Sequence, residues 1–390
     1  MTEAVLLSAC RTAIGTSHKG TLRDTSPFDL ASLVVREAVR RAGVPAERYD
    51  DVIMGEVLAG GGDIGRYAAL EAGLTHVPGL AHNRHCASGL ATISTAAGAV
   101  MAGMDRVVVA GGVHSASLRP QLTRRVPGTD DVFDPWSPPS HVATAETPTD
   151  DMTITVGWNT ARLAEISRED MDVWALRSHQ RAVAAIDDGR FADEIVPVEV
   201  TGRDGSVSMF EVDEHPRRGT TAERLAGLKV IHPEIDGFSI TAGNSSGIND
   251  AASAVVVAAA EEAAENGLTP LATIRSWASV GVDPVETGLA PIEAISKALR
   301  RAGLSLDDVD LFEINEAFAS VPIAACRALD ISEEKVNPFG SGCSLGHPIA
   351  ATGARMVTTL AYELRRRGGG TAVAAMCAAG GMASAMVLSA

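Results

Sequence analysis

The chain has 390 residues, 46% of them hydrophobic and 21% charged, with a formal net charge of −16. That length exceeds one ordinary hydrophobic core, and no apolar run reaches the roughly 20 residues that a membrane helix needs. The acidic balance argues against a nucleic-acid partner, because a phosphate backbone calls for a basic surface.

The opening stretch MTEAVLLSACRTAIG carries an acid at Glu3 and a short apolar run, so it reads as a first strand rather than a signal peptide. A cytoplasmic protein without membrane association is the expectation. Cys10, Cys86, Cys326, Cys343 and Cys377 are odd in number, widely spaced and lack a CxxC pair. Neither a disulfide framework nor a zinc site is suggested, and a reducing compartment fits.

The segment 36–57, REAVRRAGVPAERYDDVIMGEV, reads like 296–317, SKALRRAGLSLDDVDLFEINEA. In each, an amphipathic helix ends at Ala-Gly (Gly43, Gly303), where glycine can take the left-handed cap, and an acidic loop and a short apolar strand follow. The glycine string AGGGDIG at 59–65 reads as an ordinary loop, lacking the strand-turn-helix setting of a dinucleotide site. Segments 86–112 and 346–381 then match each other as loop, small-residue helix, turn and glycine-ended strand. A duplicated α/β unit explains both correspondences. The strands VVVAGG (107–112) and TAVAAMC (371–377) are continuously apolar, as in sheets buried on both faces, so a layered α/β architecture is predicted.

Between the two halves, residues 113–245 gather clustered prolines, helix-like runs and a basic stretch, PRRGTTAERLAGLK, with Arg217, Arg218, Arg224 and Lys229. A solvated face is the ordinary reading of such a run. The first half resumes near Ile248 and the second begins near Thr273.

Cys86 sits in NRHCASGL directly before a small-residue helix, whose dipole favours a thiolate. A lone cysteine is more often a buried, inert one. His82 and His85 lie close by, with no carboxylate or second cysteine at a metal-ligand spacing. His347, in GCSLGHPIAATGAR, stands in the second half where Cys86 stands in the first. A pseudo-twofold would bring the two helix starts together as a Cys–His pair, with the imidazole accepting the thiol proton. Cys377 ends a buried strand before AAGG, where ligands of α/β sheets collect. Asn315 and Glu316 also end a strand and need polar partners, whether in a turn or in a site.

Together, NRHCASGL, NEAFA, GHPIAATGAR and CAAGGMASAM, in register with TAGNSSGINDAA at 241–252, resemble the signature blocks of the thiolase family over essentially the whole chain. The resemblance implies a five-layered αβαβα fold of two similar halves, residues 1–118 with 246–270 and residues 271–390, and an inserted loop domain at 119–245. It implies a homodimer or homotetramer acting on coenzyme A and acyl-CoA, with no permanently bound cofactor and no metal. By the same resemblance Cys86 is the acylated nucleophile, His347 its base, Cys377 the second acid/base, and Asn315 the holder of a water that stabilises an enolate oxygen. The main-chain N–H groups of Cys86 and Ala379 form an oxyanion hole, Arg217 and Ser246 contact coenzyme A, and Met152, Thr153, Trp158 and Phe318 belong to the acyl pocket and its covering loop.

Two departures from the family pattern stand out. Ala378 and Ala379 precede Gly380 where glycines are usual, and MTITVGWN (152–159) replaces the usual covering stretch, keeping only its asparagine. An alanine at 379 is strained if that position needs a positive φ. The altered stretch predicts a reshaped acyl pocket, for which acetoacetyl-CoA is not the natural substrate. Two other readings remain on these residues. A decarboxylating condensing enzyme shares the fold but places a histidine where this chain has Asn315 and lacks the cysteine at 377. A non-catalytic acyl-CoA or lipid-binding scaffold is the other.

Overall fold

The computed structural model describes residues 2–390. The repeat inferred from the sequence is visible first in how its helices end. Helix α1 (Pro27–Ala42) starts at Ser26, whose hydroxyl accepts from the Phe28 N–H, and stops at Gly43 with φ 69°. Its counterpart α5 (Ala290–Ala302) also carries a proline in its first turn and arginines in its last, and stops at Gly303 with the same φ of 69°. The left-handed cap satisfies end carbonyls at no Cβ penalty, and the arginines suit the negative end of the helix dipole. After each comes a 3-10 turn (Ala46–Arg48, Leu306–Asp308) and a short strand, β2 (Asp51–Gly55) or β7 (Leu311–Ile314).

The remaining elements of the first half are β1 (Ala4–Thr12), α2 (Ile64–Glu71), β3 (Gly79–His82), α3 (Ser88–Met101), β4 (Val107–His114) and, after the long insertion, β5 (Asn249–Ala259). The insertion contains α4 (Arg168–Asp187). The second half has β6 (Ala272–Gly281), α5, β7, α6 (Ser320–Leu329), α7 (Thr352–Arg367), β8 (Thr371–Ala378) and β9 (Met382–Ser389).

Strand order runs β7-β8-β9-β6-β1-β5-β4-β2-β3, so the two half-sheets join edge to edge where Ala4–Leu6 of β1 pair antiparallel with Ala272–Ile274 of β6. Each half has the same pattern. The outer strands β2 and β4 pair in parallel, as do β7 and β8, while β5 and β9 run antiparallel to their neighbours. The parallel β2·β3 pair is echoed by a single bridge between Phe312 and Val336.

Side chains alternate across these strands and sort the interior into three cores. Val107, Val109 and Val113 of β4 face α1 and α2 in one core, while Val108 and Ala110 face α3 and α7 in a second. On β8, Ala372, Ala374 and Met376 join that central core, and Val373, Ala375 and Cys377 turn to a third with α5 and α6. Helix, sheet, central helix pair, sheet and helix are therefore stacked as the five predicted layers. The string at 59–65 does lie between a strand, β2, and a helix, α2, contrary to the sequence reading; Asp63 caps that helix by accepting from the Arg66 N–H. An added Cβ on Gly61 or Gly62 would meet nothing within 4 Å, so these glycines answer a positive φ rather than a close backbone approach.

The insertion is anchored to β1 through Arg11, 1% exposed, which donates to Glu194 at 2.7 Å and to both carboxylate oxygens of Asp213 at 2.7 and 2.9 Å. Removing one member of such a buried group strands the others' charge, at a cost of about 3–5 kcal/mol.

Candidate active site

Helices α3 and α7 cross where both carry glycine. A Cβ on Gly89 would sit 2.6 Å from the Ala354 nitrogen, and one on Gly353 would run into the Leu90 nitrogen. The paired helix starts are thus brought together as predicted, with a refinement of register. Matching Gly89 to Gly353 aligns Cys86 with Ala350, so His347 stands three residues before the true counterpart of Cys86. It lies in the turn ahead of α7.

Cys86 follows His85, whose backbone is left-handed (φ 45°), an uncommon conformation for a residue with a Cβ. Local hydrogen bonds hold the bend: His85 N–H donates to Asn83 Oδ1 at 2.9 Å, Arg84 N–H to Ser88 Oγ at 2.9 Å, and Ser88 Oγ to the His85 carbonyl at 2.7 Å. The thiol is partly buried. Burial pushes its pKa up to about 11, offset in part by the N–H groups of Ala379 and of Cys86 itself, which face the sulfur. Desolvation thus opposes the thiolate that the sequence reading drew from the helix dipole. The same two N–H groups are those assigned to the oxyanion hole, and they converge here.

Ala379 itself is absent from the residues with positive φ; the left-handed positions are Gly380 (φ 85°) and Gly381 (φ 72°). The alanine keeps its N–H without backbone strain. Cys377, at the end of β8, is buried and its thiol is raised first by burial and then by the neighbouring Cys86 sulfur.

His347 is held from two sides. Its N–H donates to Asn249 Oδ1 at 3.0 Å, and Asn249 Nδ2 in turn donates to the Gly15 carbonyl at 3.0 Å. Its ring Nδ1 lies 2.7 Å from Thr352 Oγ1, and that hydroxyl donates its only proton to the Pro348 carbonyl at 2.9 Å. With the hydroxyl so oriented, the ring proton is assigned to Nδ1, donating to Thr352, and the lone pair to Nε2. Nε2 is buried and has no hydrogen-bond partner among the described residues. Burial above all, with the Arg355 guanidinium adding a positive field, pushes the His347 pKa down to about 3, so the imidazole is neutral.

Asn315 follows β7 and is fully buried; its amide approaches His347 Nδ1 at 3.5 Å, and Oδ1 has no partner. With Nδ1 assigned as a donor, the amide is better read with its oxygen toward the ring and its NH2 in the position that has no partner among the described residues. A buried basic nitrogen and a buried amide without partners are what a site for a polar reacting group presents. Glu316 needs no such group. Its carboxylate accepts from Trp174 Nε1 and Asn337 Nδ2, both at 2.8 Å, from Ser178 Oγ at 2.6 Å and from the Cys343 N–H at 3.1 Å.

Arg217 lines a cavity of about 400 Å³ with His179, His215, Gly219, Thr220, Arg224, Leu228, Gly243 and others. Arg218 is engaged by Asp187 at 2.6 and 2.8 Å, whereas the Arg217 guanidinium makes no ion pair among the described residues. Ser246 donates its N–H to the Ala317 carbonyl at 2.9 Å, which ties it to the Asn315 turn rather than to the walls of that cavity.

Thr153–Trp158 form a π-helical turn preceded by Met152. A Cβ on Gly157 would lie 2.8 Å from the Phe318 ring, and Ser320 Oγ donates to the Gly157 carbonyl at 3.0 Å, so this stretch and Phe318 are packed together. The Trp158 ring instead turns to Phe238, 5.5 Å between centroids, and lines a separate open cavity of about 500 Å³ whose walls include none of Cys86, Asn315, His347 or Cys377.

Sequence reasoning missed Thr352, Asn249 and His114. Thr352 is five residues beyond His347 at a helix start, a spacing that could have marked it. His114, the last residue of β4, is buried with Nε2 unpartnered, on the strand face where a Cβ on Gly112 would overlap the Ala350 carbonyl.

The sequence matches the family models "Thiolase, N-terminal domain" over residues 4–261 and "Thiolase, C-terminal domain" over residues 268–390. It is 41% identical to the acetyl-CoA acetyltransferase of Syntrophomonas wolfei, covering 100% of this chain and 99% of that protein. It is 40% identical to the 3-ketoacyl-CoA thiolase of Bacillus subtilis, with 99% of each covered. The crystal structure of the Bacillus anthracis acetyl-CoA acetyltransferase superposes with a TM-score of 0.90 at 39% identity, covering 100% of this chain and 99% of that one. Human mitochondrial 3-ketoacyl-CoA thiolase gives the same TM-score of 0.90 at 37% identity, over 99% and 98% of the chains. The chain belongs to the thiolase family.

Proposed function

We propose that this thiolase, an acyltransferase of the Claisen-condensing and -cleaving type, works through an acyl group on Cys86. In the thiolytic direction the Cys86 sulfur attacks the 3-keto carbon of a 3-ketoacyl-CoA while His347 Nε2 takes the thiol proton. The tetrahedral oxygen is received by the N–H groups of Cys86 and Ala379. The C2–C3 bond then breaks. Its electrons form the enolate of acetyl-CoA, whose oxygen is met by His347 and by a water on Asn315, and Cys377 protonates its carbon. Coenzyme A attacks the acyl-Cys86 and releases a shortened acyl-CoA. Condensation is the reverse.

The observation that carries this reading is a buried, unpartnered His347 Nε2 on a turn that the Gly89–Gly353 contact brings toward the turn bearing the Cys86 thiol. Neither group is spent on structure. Transfer of one proton between them creates the nucleophile only when an electrophile is bound. The Arg217 side of the 400 Å³ cavity suits the phosphates of coenzyme A, and the family resemblance puts Ser246, outside the walls of that cavity, on the pantetheine arm. The division into residues 1–118 with 246–270, 119–245 and 271–390, a cytoplasmic homodimer or homotetramer, and the absence of a permanent cofactor complete the proposal.

The departure of MTITVGWN (152–159) from the family's covering stretch, on a turn packed against Phe318, is what favours a reshaped acyl pocket. The test is loss of enolate absorbance when coenzyme A is added to a panel of 3-ketoacyl-CoA thioesters, with wild type and Cys377→Ala. Turnover by wild type alone supports the reaction. Acetoacetyl-CoA outrunning every longer or branched substrate would overturn the pocket assignment.

A further inference from the structure

We infer that Glu316 is a positioning residue that sets the Asn315 amide for the carbon–carbon step without serving acyl transfer to Cys86. The inference rests on the reaction proposed above.

Glu316 is 1% exposed, and both carboxylate oxygens are filled. One oxygen takes the Trp174 indole N–H and the Asn337 amide; the other takes the Ser178 hydroxyl and the Cys343 N–H. These donors come from different parts of the chain. Trp174 and Ser178 lie on α4 of the insertion, Asn337 follows the bridge to β7, and Cys343 lies in the turn Gly342–Leu345 that leads to His347. Asn337, itself left-handed at φ 51°, clamps both the N–H and the carbonyl of Ile314 at 2.8 Å, the residue just before Asn315. A single carboxylate thus joins the insertion, the Asn315 turn and the His347 turn. A buried carboxylate that spends all its capacity on charge-assisted bonds fixes geometry rather than moving protons.

Asn315 and His347 depend on it unequally. His347 has its own anchors in the first half and in α7, through Asn249 and Thr352. The Asn315 side chain has only the 3.5 Å approach to His347, while its main-chain N–H bonds the Ala375 carbonyl at 2.9 Å. The direction of its amide is therefore inherited from the fixed Glu316 beside it and from the Asn337 clamp before it. Acylation of Cys86 by acetyl-CoA uses His347 and the N–H groups of Cys86 and Ala379. Cleavage or formation of the C2–C3 bond also needs the Asn315 water. Displacing Glu316 should separate the two half-reactions.

Glu316→Gln keeps the size but turns an NH2 toward one pair of donors. Trp174→Phe and Ser178→Ala each remove one donor and leave the carboxylate, giving milder versions should Glu316→Gln fold poorly. Single-turnover acetylation of Cys86, read by intact mass, is compared with steady-state thiolysis of the best 3-ketoacyl-CoA, after matching folded content by near-ultraviolet circular dichroism. We expect acetylation to stay within about three-fold of wild type while thiolysis falls about 10–100-fold in Glu316→Gln, with smaller losses of the same kind in the other two variants. Parallel loss of both half-reactions, or loss of neither, overturns the inference. Wild type that is acetylated yet never performs thiolysis would instead overturn the reaction on which the inference rests.

Discussion

Gly89 and Gly353 occupy equivalent places on α3 and α7 and let the two backbones touch at the centre of the molecule, each leaving no room for a Cβ on the other's side. The contact does more than pack helices. It fixes the distance between the turn that bears Cys86 and the turn that bears His347, so the duplication that builds the fold also assembles the proposed nucleophile and base.

Gly353→Ala should therefore lower stability by about 1–3 kcal/mol, the usual cost of forcing a methyl group into a packed core, read as a lower urea midpoint at unchanged slope. Gly103→Ala is not its control, since Gly103 has a φ of 71°; Gly98→Ala, whose Cβ would lie 3.6 Å from the nearest Trp277 atom, is the control and should be nearly neutral.

Thr352 is assigned as the acceptor of the His347 Nδ1 proton, and with it the choice of tautomer. Thr352→Val keeps the shape and leaves that N–H without an acceptor, so thiolysis should fall about 10–100-fold, the rate equivalent of one stranded buried donor. Thr352→Ser should retain near wild-type rates. Equal activity of all three proteins would show that the ring proton is placed by something else.

His114 is buried in its neutral form, its pKa pushed down from 6.5 to about 4 chiefly by burial. Below pH 6.5 the unfolded chain binds a proton at this residue that the folded chain refuses, so the wild type loses stability there as pH falls. His114→Gln has no such group. Its stability relative to wild type should improve by about 2 kcal/mol between pH 7.5 and 5, from roughly 1.4 kcal/mol per unit below pH 6.5. Denaturant titrations of both proteins at the two pH values measure the difference, and a pH-independent gap would mean that His114 is charged or solvated in the folded state.

Arg217 presents a guanidinium without an ion-pair partner among the described residues to a cavity that it shares with Arg224. Arg217→Ala should raise KM for coenzyme A about five- to ten-fold at low salt and leave kcat unchanged, with the difference shrinking as ionic strength rises. A fall in kcat instead would place Arg217 nearer the reacting atoms than the proposal has it.

Much of this was legible in the sequence because duplication writes the same local rules twice. Gly43 and Gly303, the arginines before them and the acidic turns after them announce the same helix ending, and the structure gives both the same φ. Continuous apolar runs announced the buried strands, although only the structure shows how alternate residues of β8 serve different cores. Cys86 and His347 stood out by their place before small-residue helices. What the sequence could not supply were contacts between remote segments. Thr352 and Asn249 are ordinary polar residues until their bonds to His347 are seen, and the thiolate inferred for Cys86 from the helix dipole is opposed by burial that no sequence window reports. The possible strain at Ala379 likewise dissolved, because the positive φ values fall one residue later.

The most direct test of the central claim is the intact mass of wild type and Cys86→Ser after mixing with acetyl-CoA, followed by addition of coenzyme A. The account predicts one acetyl group on wild type, none on Cys86→Ser, and loss of that acetyl group once coenzyme A is added. An acetyl group of equal yield on both proteins, or one that coenzyme A does not remove, would contradict an acyl-Cys86 intermediate.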